Sequence, residues 1–320
     1  MKRKFFVMIL IISILATFGL TACADPVIET EQDAVVPINP LPEAESKEKT
    51  TTRLYFGYQQ ERLLVGENRV VDVTEFESIE TSIIEELTKG PSAERVEFTQ
   101  LINPATQVVN IESQGQFLFV TLSQEFLQSF GTEIDLTDEE QLSNEKRRRY
   151  LAVYSIVNTI VEQGTYSRVS ILIDEEGSGR PITLAEVGLE AEEPAEPFER
   201  DNEIALTARN TMREILAAIE KKEWSTLYGY IAYKNTYGAD KPSQEDFTNE
   251  IVSSKISVAG TQILDDVVSQ DGATDIIMVD YELKLQDGEP RNLTNIPIKL
   301  IQENGVWKIT YTTFKNKFLS

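Results

Sequence analysis

Arg168-Val169-Ser170-Ile171-Leu172-Ile173 decides how the first half of this chain reads. Val169, Ile171 and Ile173 fall on one face of an extended backbone, so the segment predicts a strand with one side in a core. The stretch before it has a different period. Leu151, Tyr154, Val157 and Val161 recur at helical spacing as far as Gln163, and Gly164 breaks the pattern. A strand that returns after one long helix, among hairpins rather than repeated crossovers, predicts an α+β fold instead of a uniformly parallel sheet.

Upstream, Arg53-Leu54-Tyr55-Phe56-Gly57-Tyr58 reads as a first strand and residues 63–73 as a second extended segment. Thr74 with Glu77 stands in capping-box position before a stripe of Phe76, Ile79, Ile83 and Leu87, and Gly90-Pro91 stops that helix and sets the next loop. Residues 106–111 and 116–122 pair as a hairpin through Glu112-Ser113-Gln114-Gly115. Thr137 and Glu140 are placed as a second capping box at the start of the long helix.

Downstream, residues 191–201 are acidic and punctuated by Pro194 and Pro197, which predicts a linker between a first domain over 53–190 and a second over 202–320. The second domain opens with helical spacing at Ile204, Ala208, Met212, Ile215 and Ile219. A shorter apolar segment follows around Trp224, Leu227, Tyr228 and Ile231, and Ser243 with Asp246 caps a third helix. Beyond Ser254 the period becomes two. Ile277, Val279, Tyr281, Leu283 and Leu285 form one strand face, Ile296, Ile298 and Leu300 another, and Trp307, Ile309 and Tyr311 a third. Asn304-Gly305 is a strong hairpin signal, and Asp287-Gly288 marks a longer turn. Helices followed by a curved antiparallel sheet predict a cone with room for a pocket between them.

The chain begins Met1-Lys2-Arg3-Lys4, then runs apolar from Phe5 to Leu20, which describes a leader over 1–22 too short to span a bilayer comfortably. Leu20-Thr21-Ala22-Cys23 contains the one cysteine and resembles the bacterial lipobox. That resemblance implies that Cys23 becomes an acylated first residue, with the rest of the chain on the outer face of the cytoplasmic membrane. Residues 23–52, with Pro26, Pro37, Pro40 and Pro42 among charged residues, then read as a disordered tether. Loss of the leader's three cations takes the formal charge from −23 to −26, which opposes nucleic-acid binding and polybasic docking on acidic lipids.

With no histidine, the commonest neutral-pH base and every His-containing metal site are excluded, and no Ser-His-Asp or Cys-His arrangement exists. No cofactor or metal is expected. The cluster Asp135, Asp138, Glu139 and Glu140 lacks the spacing of a calcium loop and reads as the solvated start of a helix. Asp174-Glu175-Glu176-Gly177-Ser178-Gly179 reads as an acidic turn without phosphate-loop spacing. Lys146-Arg147-Arg148-Arg149 is the dense basic run of an acidic chain. Pairing with Glu139, Glu140 or Glu145 is its first reading, and an anionic wall polymer or acidic protein patch bound by Arg147, Arg148 and Arg149 is the sharper one. Tyr230, Tyr233 and Tyr237 suggest a partly exposed aromatic surface, with Tyr233 and Tyr237 as candidate binding residues.

Leu54-Tyr55-Phe56, Arg62-Leu63-Leu64-Val65, Leu87-Thr88-Lys89-Gly90-Pro91, the strand from Phe117 to Phe126, Ile156-Val157-Asn158-Thr159-Ile160 and Val169-Ser170-Ile171-Leu172-Ile173 together resemble the GerMN family of sporulation and germination lipoproteins. The resemblance implies a lipid-anchored envelope module without a catalytic set to transfer, so Gly90 and Pro91 carry over as structural positions. Glu223-Trp224-Ser225-Thr226-Leu227 and Gly305-Val306-Trp307-Lys308-Ile309 resemble nuclear-transport-factor-like cone domains. The expected activity is binding or assembly with an envelope protein or cell-wall component. The alternatives are an enzyme acting on peptidoglycan through a serine or carboxylate site, and capture of a small ligand.

Overall fold

Alternating apolar residues place the first strands where the sequence expects them, and the computed structural model describes residues 48–58, 63–73, 77–131, 134–135, 137–233, 241–270, 272–286 and 288–320. Cys23, the leader, Thr74, Phe76, Tyr237 and Asp287 lie outside the described residues.

Strand β1 (Glu48–Tyr58) pairs antiparallel with β2 (Leu64–Val73), in register from Glu48 opposite Val73 to Gly57 opposite Leu64. β1 therefore starts five residues inside the stretch read as tether. The short strand β3 (Phe98–Thr99) closes the other edge of β1, so β1 is the central strand and Leu54, Tyr55, Phe56 and Tyr58 are all buried. Helix α1 (Ile79–Lys89) is capped by Ser78, whose hydroxyl accepts from the Thr81 amide. Gly90 ends it at φ +85°, with its amide donating to the Leu87 carbonyl. Arg69 ties this turn down by donating to the Gly90 and Glu86 carbonyls and to the Glu67 and Glu86 carboxylates.

β4 (Val108–Gln114) and β5 (Phe117–Leu122) form the expected hairpin. β5 then crosses over through α2 (Glu139–Glu162) to the parallel strand β6 (Arg168–Glu175). β7 (Ser178–Pro181) returns antiparallel to the end of β6, while β8 (Phe198–Glu199) pairs with its beginning. The cap of α2 is Asp138 rather than Thr137. Its carboxylate accepts from the Glu140 and Gln141 amides, whereas the Thr137 hydroxyl donates to Asp135. An ionised cap beside the helix dipole displaces the hydroxyl one residue away. The buried polar residues of α2 serve β1: Ser155 donates to the Tyr55 carbonyl at 2.5 Å, and Thr159 accepts from the Tyr55 amide at 3.1 Å.

A four-residue helix, α3 (Leu184–Val187), carries a full capping box of Thr183 and Glu186. The stretch read as a linker is docked. Besides β8, the fully buried Asn158 donates to the Asp201 carbonyl at 2.8 Å and accepts from its amide at 3.0 Å. Burying an amide is costly unless both its groups are met, and Asp201 meets both.

In the second half, α4 (Ala208–Lys221) begins after Thr207, whose hydroxyl accepts from the Asn210 amide. Ile204 therefore precedes the helix, and its carbonyl accepts from the Leu64 amide of β2 at 2.6 Å. Helices α5 (Trp224–Gly229) and α6 (Gln244–Ser254) follow, the latter capped by Ser243. The antiparallel sheet has four strands, β9 (Ser257–Val268), β10 (Thr274–Lys284), β11 (Arg291–Glu303) and β12 (Val306–Ile309), in the order β12-β11-β10-β9. Register shifts between β9 and β10 mark the bulges that bend it. Asn304 at φ +55° and Gly305 at φ +87° form the two-residue turn.

The expected third strand face ends early. Thr310 accepts from the Thr313 amide and caps α7 (Tyr311–Phe318), so Tyr311 opens a helix instead of extending the alternation. Tyr230 is fully buried rather than part of an exposed aromatic surface, because its ring packs 5.8 Å from that of Tyr58. One apolar core runs through both halves of a unit spanning 46–320. Among the described residues no helix is long and apolar enough to cross a membrane.

Candidate functional site

Gln141, Asn144, Glu145, Arg148 and Leu151 recur three or four residues apart on α2, and Arg147 stands three beyond Asn144 and four before Leu151. Helical geometry therefore stacks them on one side of the helix. They form one wall of a cavity of about 520 Å³, whose other walls include Gly57, Thr99, Gln100, Leu101, Phe130 and Ile134. A cavity of this size suits a small ligand or a short chain segment.

Glu145 and Arg148 make the wall rigid. Glu145 is only 3% exposed, and Arg148 grips its carboxylate with two bonds, Nε to Oε2 at 2.8 Å and Nη2 to Oε1 at 2.6 Å. Arg149 adds a third at 3.1 Å. Burial alone would raise the Glu145 pKa, but the bonds and charges of Arg148 and Arg149 outweigh it and hold the carboxyl below its ordinary value. Arg148 also donates to the Leu101 carbonyl at 2.5 Å and lies 5.0 Å from the Phe130 ring centre. Of the carboxylates expected to meet the basic run, Glu145 pairs with both Arg148 and Arg149.

The remaining lining is apolar at Leu101, Leu151, Phe130 and Ile134 and polar at Gln141, Asn144, Thr99 and Gln100. Gly90 supports this wall from behind. A Cβ there would meet the Gln100 side chain at 3.0 Å, while Gln100 donates to the Thr88 carbonyl at 2.7 Å. Glycoside hydrolysis calls for two carboxylates; among the described residues the lining holds Glu145, which is ion-paired. The arrangement can hold and orient a ligand by apolar contact, amide hydrogen bonds and guanidinium charge.

The aromatic candidates lie elsewhere. Tyr233 is 56% exposed, and its amide donates to the Glu303 carboxylate. Lys241 places its ammonium 3.9 Å from the Tyr228 ring centre and 4.2 Å from that of Tyr233. Desolvation, with help from nearby Lys308, lowers the Lys241 pKa to about 8. Lys308 itself is fully buried and donates to both oxygens of Glu97 at 2.8 and 3.0 Å, with Glu303 3.7 Å away. Among the described residues no group of three His, Cys, Asp or Glu side chains is placed to hold a metal ion.

The basic run pointed to Arg147 and Arg148, but Gly57, Thr99, Gln100, Phe130, Ile134, Gln141 and Asn144 were not singled out. For Gln141 and Asn144 a signal existed, since they share the helical row of Arg148 and Leu151. No local pattern announces the others.

The segment that builds this cavity matches a known family. Residues 53–178 fit the family model described as Germane: Sporulation and spore germination. The match covers less than half of the chain, and that segment is thus similar to a family tied to sporulation and germination. The tandem GerMN domains of the sporulation protein GerM from Bacillus subtilis align over 52% of this chain and 49% of that one, at 15% identity and a TM-score of 0.33. The chain therefore spans about half the length of that structure. The first GerMN domain of the same protein aligns over 48% of this chain and 98% of its own, at 16% identity and a TM-score of 0.31. No match was found among curated proteins. The family match ends at residue 178, before the helices and sheet of the second half.

Proposed function

We propose that this chain is a lipid-anchored binding or assembly module of the cell envelope, acting in sporulation or spore germination on the outer face of the cytoplasmic membrane. The observation that supports the proposal is the cavity beside α2, built by residues of the matched segment and lined by apolar, amide and guanidinium groups. The motif Leu20-Thr21-Ala22-Cys23 supplies the anchor in this reading, and the second half serves as a cone-like accessory module. The partner is an envelope protein or a cell-wall component, and the formal charge of −26 left after loss of the leader opposes docking on acidic lipid and nucleic acid.

A photo-crosslinking residue at Asn144 in intact cells tests this reading, with mass analysis of the processed N-terminus alongside. Recovery of an envelope component from Asn144 and an acylated Cys23 is the expected result. A chain that begins elsewhere, or crosslinks that capture no envelope component at normal expression, would overturn it.

A further inference from the structure

The end of the sheet formed by β1 and β3 is a partition with a different neighbour on each side. Gly57 stands opposite Thr99 and Tyr58 opposite Phe98, and successive residues of a strand point to opposite faces. Gly57 and Thr99 line the cavity. Tyr58 and Phe98 turn the other way, into the second half. The Tyr58 hydroxyl donates to the Gly229 carbonyl at 3.0 Å, its ring centre lies 5.8 Å from that of Tyr230, and a Cβ built at Gly305 would lie 3.8 Å from the Phe98 ring. The partition has little slack. On the cavity side, a Cβ at Gly57 would meet the Leu101 side chain at 3.0 Å and that of Thr99 at 3.3 Å. On the other side, Leu64 of β2 donates to the Ile204 carbonyl at 2.6 Å and accepts from the Leu206 amide at 2.7 Å, and Glu97, two residues before Thr99, holds the buried Lys308 ammonium. A close-packed interior passes a displacement on instead of absorbing it.

We infer that these two residue pairs couple the cavity to the second half. A shift of Gly57 and Thr99 on the cavity side moves Tyr58 and Phe98 against Gly229, Tyr230 and Gly305, and a shift in the second half moves the cavity wall. By linkage, an occupant of the cavity and a partner seated on the second half then change each other's affinity by the same factor. The second half thereby becomes the part of the molecule that senses whether the cavity is filled. That purpose rests on the binding reading above, whereas the coupling itself is measured without a ligand.

Hydrogen exchange of the full-length protein, read by mass spectrometry, tests the coupling from both sides. Gly57→Ala adds one methyl group on the cavity side and is expected to speed exchange at residues 229–232 of the second half about fivefold, by crowding Leu101 and Thr99. Tyr230→Leu removes a ring from the second half and is expected to speed exchange at residues 99–101 by about the same factor. The hairpin of β4 and β5, on the other sheet, is expected to keep the parent rate in both. Should either variant fail to fold, Tyr58→Phe, which deletes one hydroxyl, is expected to speed both segments, and an unchanged rate at either one counts against the coupling. Acceleration that stays on the substituted side, or an equal acceleration that includes the hairpin and so reports global unfolding, would overturn the inference. Each of these failures leaves the Asn144 crosslinking result standing, so the two proposals fail separately.

Discussion

The two halves of the molecule solve the same packing problem in opposite ways. In the first, the long helix α2 turns Gln141, Asn144, Arg147 and Arg148 toward the strand carrying Gly57, and a cavity remains. In the second, the space between helices and sheet is filled by rings. Phe247, Phe314 and Phe318 are fully buried, Phe314 lies 5.5 Å from Phe247 and 5.4 Å from Phe318, and Tyr281 lies 5.2 Å from Phe318. Helices packed on a sheet therefore do not by themselves make a pocket. What decides is whether the inward row of a helix carries aromatic bulk or amides and cations that hold their distance from an apolar wall.

The most severe way to break the contrast is to empty the filled half. Phe314→Ala is expected to cost about 3–5 kcal/mol in urea denaturation, because the surrounding rings close only part of the space left behind. A cost below about 1 kcal/mol would show that the ring cluster is not the core of that half. Next comes the pair that joins the halves. Glu97→Gln leaves the buried Lys308 ammonium with Glu303 as its carboxylate neighbour, and about 2–3 kcal/mol is expected to be lost. Lys308→Met removes the charge together with the need for a partner, so it is expected to cost less than Glu97→Gln.

A smaller effect falls on the cavity wall and depends on pH. The Glu145 carboxyl is depressed in the folded state, so its contribution is fully present above the unfolded value near 4.5 and is lost as the pH falls through the lower folded value. Glu145→Gln is expected to lower stability by about 2 kcal/mol at pH 7 and to flatten the fall in acid, since the amide still accepts a bond from Arg148 but carries no charge. Chemical denaturation at pH 7 and below pH 4 measures both. Parallel acid profiles for the variant and the parent would remove Glu145 from the acid response.

Much of the fold was legible because its signals are local. Val169, Ile171 and Ile173 are buried as their alternation requires, Gly90 ends α1, and Asn304-Gly305 turns β11 into β12. Sequence and structure part where two local signals compete. Asp138 outcompetes Thr137 for the cap of α2, and Thr310 ends the alternation of Trp307 and Ile309 before Tyr311. The acidic, proline-bearing stretch at 191–201 looked unstructured by composition, yet Asn158 holds its end by two hydrogen bonds from the middle of α2.

Sequence by itself determined the periods of the elements, the turn at Asn304-Gly305, the absence of histidine chemistry and the strongly acidic balance. Each depends on residues next to one another or on a simple count. Only the tertiary structure decided which polar groups are buried and where space is left. Lys308 meets Glu97 across 211 residues of chain, and Arg148 reaches the Leu101 carbonyl across 47. A charge can enter a core only when its partner arrives with it, and that arrival is a property of the assembled fold.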